Sequence, residues 1–308
     1  MGSSFRQAFV IRYSMPRLDR LLTLYVSSPI RRLLAGAGDN FVPILAYHSV
    51  SENLFGYSHP YYQINTSPKV FTEQMKWLRN EGYRTLDLHD LPAAFKSGSD
   101  LSKCFVITFD DGYRDILTAG FPVMHQCGFT ATVFLATDRI QTNPMRIEGA
   151  DYLTWQDVRE LDAQGISFGS HTASHPDLRS LGPEEIDFEL GFSKEVIEEK
   201  LGAPVTSFAY PFPYPEEDTR FTRYLGDALE NHGYQIGVST VIGRAHGRRD
   251  QFFLPRLPVN SWDDAQLLQS KLQGGYDWLH WPQWLHKFLH HNVSTMQRTA
   301  WVESQEMK

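Results

Sequence analysis

The stretch CFVITFDDGY, Cys104–Tyr113, decides the fold. From Cys104 to Phe109 it is an unbroken run of apolar, β-branched and aromatic residues, as in a strand buried on both faces of a parallel sheet. The run breaks at Asp110 and Asp111, which cannot both enter a core, and Gly112 then permits a turn. In parallel α/β folds, functional groups collect where the strands end. Two adjacent carboxylates leaving such a strand are either a solvated turn or the start of a site.

On both sides of this run the same pattern recurs. FVPILAYH (Phe41–His48), YRTLDL (Tyr83–Leu88), ATVFLAT (Ala131–Thr137), ISFGSH (Ile166–His171), SFAYP (Ser207–Pro211), QIGVST (Gln235–Thr240) and FFLPRLPV (Phe252–Val259) read as further strands. Helical spacing fills the intervals. Ser67-Pro68 supplies a cap and first-turn proline, and Gly82 a stop. Thr154 caps a second helix with Asp157 three residues on, Gly202 ends one from Glu184, and another spans Asp218 to His232. Roughly seven strand–helix units between residues 41 and 272 predict a parallel sheet covered by helices, closed as a barrel or open and doubly wound. No Pro/Gly-rich linker divides it, so a single domain is expected.

Composition agrees with a folded globular chain: 308 residues, 42% hydrophobic and 21% charged. A formal charge of -7 argues against bulk nucleic-acid binding. The charge is uneven: residues 1–35 hold six Arg and one acid, a local +5 that leaves -12 for the rest. Cys104 and Cys127 are too few for a disulfide framework and read as buried free thiols, with a single bridge as the alternative. Arg12, Arg17, Asp19 and Arg20 interrupt every early apolar stretch that could serve as a secretory signal. The uncharged piece Leu21–Ile30 falls far short of the ~20 residues that span a bilayer. The expectation is a soluble chain in the cytoplasm.

Two more strand ends carry chemistry. SHTASHPDL, Ser170–Leu178, places His171 and His175 four residues apart just after a strand, where both imidazoles can converge. Two His and one carboxylate, with open positions for water and substrate, are a common set for a divalent metal. FAYPFP, Phe208–Pro213, leads a strand into a Pro-stiffened loop able to hold a backbone N–H at a fixed point, as an oxyanion hole requires. Ser170, Thr172 and Ser174 have no base placed for them and read as local hydrogen-bonders.

In this order, on successive strand ends, TFDDGY, SHTASHPDL and FAYPF resemble the NodB-homology polysaccharide deacetylases, carbohydrate esterase family four. The resemblance covers roughly residues 41–260 and implies an α/β fold, a distorted (β/α)7-type barrel. Residues 41–272 would then be the catalytic domain, 1–40 a basic amphipathic extension and 273–308 an aromatic, His-rich one, both helical. It further implies one divalent ion, Zn2+ first with Co2+ or Ni2+ as alternatives, held by Asp111, His171 and His175. Asp110 would be the general base that activates a metal-bound water, and the N–H of Phe212 would help hold the oxyanion.

This chain departs from the family pattern at two points. The family's third motif usually has an Arg that orients the base, where this chain has Ala209; Arg256 in LPRLPVN is the candidate substitute. The late Leu-x-His motif that supplies the general acid is absent, and YHSV offers His48 instead. That arrangement is similar to the exopolysaccharide, poly-N-acetylglucosamine branch. His246, in GRAHGR, is the rival acid.

Trp155 matches a position where the family often has an aromatic near the acetyl pocket, although a core or helix-start Trp fits equally. Tyr113 and Tyr210, inside the first and third motifs, are the other substrate-side candidates, and Tyr57, Tyr61 and Tyr62 could stack on sugar rings.

The implied activity is metal-dependent hydrolysis of N-acetyl groups on an amino-sugar polysaccharide or its lipid-linked precursor. The same machinery cleaves esters, so de-O-acetylation stands beside it, and a glycan-binding member without turnover is a third reading. The ends suggest attachment. Residues 5–36 mix apolar side chains with Arg, as in an interfacial helix or one packed on the barrel. In residues 277–291, Trp278, Trp281, Leu285 and Phe288 share a face, and the four His beside them read as polar exterior. Peripheral contact with the inner face of a membrane through either segment is a further expectation.

Overall fold

The structure, a computed structural model, describes residues 17–34, 40–52, 63–144, 146–147, 149–247 and 251–289. Seven parallel strands close into a barrel: β1 (Ile44–Tyr47), β2 (Cys104–Phe109), β3 (Thr132–Leu135), β4 (Ser167–Ser170), β5 (Ser207–Ala209), β6 (Ile236–Ile242) and β7 (Leu254–Pro258). Pairing of β7 with β1 and of β1 with β2 closes the ring and excludes the open sheet. The closure is uneven. β4 meets β5 at the single pair Ser170–Phe208, and the β6–β7 register slips between Val238 and Ile242.

β2 shows how the sequence builds this wall. Its residues alternate between two clusters, Val106 facing the lumen with Ile44, Phe134 and Leu254, while Phe105, Ile107 and Phe109 pack outward with Phe71 and Met75 of the helix Pro68–Asn80. The period-2 rule carries the inward row on through Thr108 to Asp110 at the barrel mouth. The lumen is filled, not open. A Cβ on Gly169 of β4 would lie 2.6 Å from the Phe134 ring, so a larger residue there would force that packed ring to move.

YRTLDL differs from its expected form. Only Arg84–Thr85 is extended, and it lies outside the ring against Cys104–Phe105. The cause is register: β3 pairs with Thr108 and Phe109 alone, which leaves the other end of β2 open. Arg84–Thr85 fills that wedge, with Thr85 Oγ1 accepting from the Thr130 N–H at 3.0 Å. Asp87 then caps a 3-10 turn, Leu88–Asp90. The helices fall close to their expected places: Ser67 caps Pro68–Asn80, Thr154 and Asp157 form a capping box on Trp155–Asp162, and Pro183–Leu201 ends at Gly202 in the left-handed region. Cys104 and Cys127 are free thiols, Cys104 buried beside the Arg84 guanidinium at 3.1 Å.

Candidate active site

The C-terminal ends of β1, β2, β4 and β5 meet at one mouth, the usual position for function in such barrels. Asp110 leaves β2 with its N–H on the Tyr47 carbonyl and its side chain buried. Arg256, inward-facing on β7, grips it with two parallel bonds, Nη1 to Oδ1 at 2.7 Å and Nη2 to Oδ2 at 2.8 Å. The guanidinium is fixed in turn by the Ser239 carbonyl and Thr108 Oγ1. Burial works to raise the Asp110 carboxyl, but Arg256, His171 and His48 outweigh it and hold the group well below the usual carboxylate range. Asp110 is ionised and rigidly oriented. His48, just past β1, reaches it with Nε2 3.8 Å from Oδ2.

One residue further, Asp111 turns away from the barrel axis. Its carboxylate lies 3.3 Å from His175 Nε2 and 3.8 Å from His171 Nε2. One ligand atom from each of these three residues falls within 4.8 Å of the other two, the only such group of three among the described residues. The donors suit a divalent ion. His171 Nδ1 lies 2.7 Å from the Ala209 carbonyl, which only accepts, so Nδ1 carries the proton and Nε2 keeps its lone pair for a ligand. Burial holds both imidazoles neutral: it pushes His171 down, and, with the neighbouring His171, takes His175 down to about 3. His175 Nδ1 is buried without a hydrogen-bond partner in the structure.

Backbone strain marks the same place. The non-glycine residues with positive φ among those described are Asp111, Thr172, His175 and Phe212, at 60–71°. All four belong to the three strand-end motifs, and such conformations cost of order 1–3 kcal/mol each unless the surroundings enforce them. Phe212 lies in the loop after β5, half-exposed, its ring 4.7 Å from that of His175.

The residues that enforce this geometry escaped the sequence reading. Glu189, buried on the helix Pro183–Leu201, accepts from the N–H groups of Ala173 and Ser174 and from Ser174 Oγ at 2.6–2.9 Å, clamping the loop between the two histidines. Asp115 accepts from the Val50 N–H and Ser49 Oγ, fixing the turn after His48; burial raises its carboxyl. Arg139 Nη1 lies 3.4 Å from Asp111 Oδ1. Asp115 follows the Asp-Asp pair closely enough to have been suspected. Glu189 is one acid among many on its helix, with no local signal.

The remaining candidates are placed as follows. Trp155 is buried at the first turn of its helix, its backbone N–H donating to the Gln141 carbonyl. Tyr113 packs on Tyr152 with ring centroids 5.0 Å apart, and Tyr210 is enclosed against Tyr214. His246 does not join the site. It pairs with Phe41, ahead of β1, whereas His48 follows β1, a separation of about 20 Å along an extended chain. Tyr57, Tyr61 and Tyr62 lie outside the described residues.

A strand-end Asp/His/His group beside a buried carboxylate at the mouth of a seven-stranded barrel defines an α/β barrel with a candidate metal centre. The comparisons narrow the class. The Polysaccharide deacetylase family model matches residues 97–237. YxkH of Bacillus subtilis, named for that family, is 31% identical over 220 residues, 71% of each chain. The chain belongs to the polysaccharide deacetylase family. It is also similar to the poly-beta-1,6-N-acetyl-D-glucosamine N-deacetylase of Staphylococcus aureus, 21% identical over 74% of this chain and 81% of that one. The Escherichia coli protein of that name is 28% identical over 144 residues, 44% of this chain but only 21% of its own length. Among solved structures, the Streptococcus pyogenes deacetylase PplD in complex with acetate shares the fold (TM-score 0.63, 23% identity, covering 75% of this chain and 98% of that one). IcaB from Ammonifex degensii does likewise (TM-score 0.60, 21% identity, 76% and 97%).

Proposed function

We propose that the protein is a metal-dependent de-N-acetylase of an amino-sugar polysaccharide or its lipid-linked precursor. The observation that carries this reading is the buried, Arg-gripped Asp110 directly beside the Asp111, His171 and His175 group at one barrel mouth. Asp111, His171 and His175 would hold a divalent ion, zinc before cobalt or nickel, which would supply Lewis acidity to an attacking water and to the acetyl carbonyl. Asp110 takes the proton of that water. Its weak hold on a proton makes it a transient carrier, and His48, with Nε2 3.8 Å from Asp110 Oδ2, delivers a proton to the leaving amine. Arg256 is a positioning residue that keeps the carboxylate aimed. The N–H of Phe212, turned by its positive φ, serves as oxyanion donor. Tyr113 and Trp155, each 7% exposed, are the aromatic candidates for the acetyl pocket, and Tyr210 supports the loop that carries Phe212.

The amide reading over the ester one rests on the Escherichia coli and Staphylococcus aureus relatives, whose names specify N-deacetylation. Acetate release from N-acetylglucosamine oligomers, measured against O-acetylated xylan, tests it. The wild-type protein should prefer the amide, and Asp110→Asn should lose about 10²–10⁴-fold in kcat. Release from esters alone, or an Asp110→Asn variant as fast as wild type, contradicts the proposal.

A further inference from the structure

The segment Leu18–Leu34 is helical throughout, with one wide turn at Thr23–Ser27, and it is docked inside out. A helix packed on a globular body normally buries its apolar stripe. Here the face toward the body is largely polar, with Leu24 packed against the core beside it. Arg20 forms a two-bond pair with Asp264, Asp19 accepts from Tyr276 Oη at 2.9 Å, and buried Thr23 accepts from Trp278 Nε1 at 3.0 Å. Leu18, Leu21, Leu22, Tyr25, Ile30 and Leu33 face outward, with exposures from 44% at Leu22 to 86% at Leu33. A contiguous exposed apolar stripe of this kind marks an interaction surface.

Its flank is cationic. Arg31, Arg32, Lys103 and Arg244 line a cavity of about 470 Å³ along the second half of the helix, with no acidic side chain among the lining residues. Asp277 stands behind, 3.1 Å from Arg244 and 3.9 Å from Arg31. Among the described residues no helix is long and apolar enough to cross a membrane.

We propose that this helix face docks on an anionic bilayer surface, the apolar stripe entering the interface and the cationic cavity taking lipid phosphates. Charge decides between occupants. A second copy would set Arg31 and Arg32 against their own counterparts, whereas an anionic leaflet complements them and attracts basic residues held near its surface. The inference does not depend on the deacetylase reading.

The test is co-sedimentation of the full chain with phosphatidylcholine vesicles, with and without phosphatidylglycerol, alongside size-exclusion chromatography without lipid. Wild-type protein should pellet with the anionic vesicles and release in about 0.5 M salt, because screening removes the charge contribution. Tyr25→Glu/Leu33→Glu and Arg31→Glu/Arg32→Glu should each weaken binding by at least about tenfold, with an unchanged melting temperature. Wild-type protein that stays in the supernatant with anionic vesicles overturns the proposal. So do variants that bind as tightly as wild type, or a wild-type dimer that Tyr25→Glu/Leu33→Glu converts to monomer. The two paired variants alter different parts of the face, so if one misfolds the other decides.

Discussion

Asp110 and Arg256 form a buried pair in which each needs the other. Removing a partner from such a pair typically costs about 3–5 kcal/mol, because a charge is left uncompensated. Arg256→Lys is therefore the informative substitution: it keeps the charge but loses the planar fork that fixes both carboxylate oxygens. It should leave KM nearly unchanged and lower kcat by about 10–100-fold, since small misplacements of a reacting group carry costs of that size. Unchanged kcat would show that the orientation of Asp110 does not limit the rate. His175 gives a stability signature. An unfolded-chain His titrates near ~6.5, whereas the folded value lies at about 3. Between those values the unfolded chain binds more protons, so stability falls as pH drops from about 6.5 toward 3, by up to a few kcal/mol. Melting curves in chelator from pH 7 to 4 should be steeper for wild type than for His175→Gln; parallel curves would refute the assignment.

Elements explain why the three motifs could be read from sequence and their supports could not. An apolar strand that ends in ligand-type residues is a local pattern, and Thr108–Tyr113, Ser170–Leu178 and Phe208–Pro213 each display one. The barrel strands were readable for the same reason. YRTLDL was not, because its length depends on how far β3 extends along β2, a matter of register between distant segments. Glu189 and Arg139 reach the site from helical elements that pack there only in three dimensions. Arg256 lies 146 residues from Asp110, and only the resemblance, with its missing Arg at Ala209, pointed to it. The loop between the histidines gives a direct measure of such support. Glu189→Gln keeps the size of the side chain but loses one acceptor oxygen and the charge that binds three donors. Calorimetric zinc titration should show affinity reduced about 10–100-fold, the usual loss when a group supporting metal ligands is altered. Wild-type affinity would mean that the strained loop holds its shape unaided.

At the scale of the whole molecule, the uneven charge sorts into two roles. The acidic excess lies largely on outer helices such as Pro183–Leu201, where Glu189 alone is turned in to the loop between the histidines. The basic leader lies outside the motif-bearing region, and its described part is a helix turned apolar side out. The sequence offered an interfacial helix or one packed on the barrel, and the structure shows a helix that packs by a largely polar face, with Leu24 against the core, and leaves the other face open. The proposed function makes Asp110, Asp111, His171 and His175 a hydrolytic centre that needs a divalent ion. The most direct measurement is acetate release from poly-N-acetylglucosamine oligomers by the intact chain, before chelation, after it, and after zinc or cobalt is added back. The account predicts release that chelation abolishes and added metal restores. Release that chelation leaves untouched, or no acetate under any of the three conditions, would contradict it.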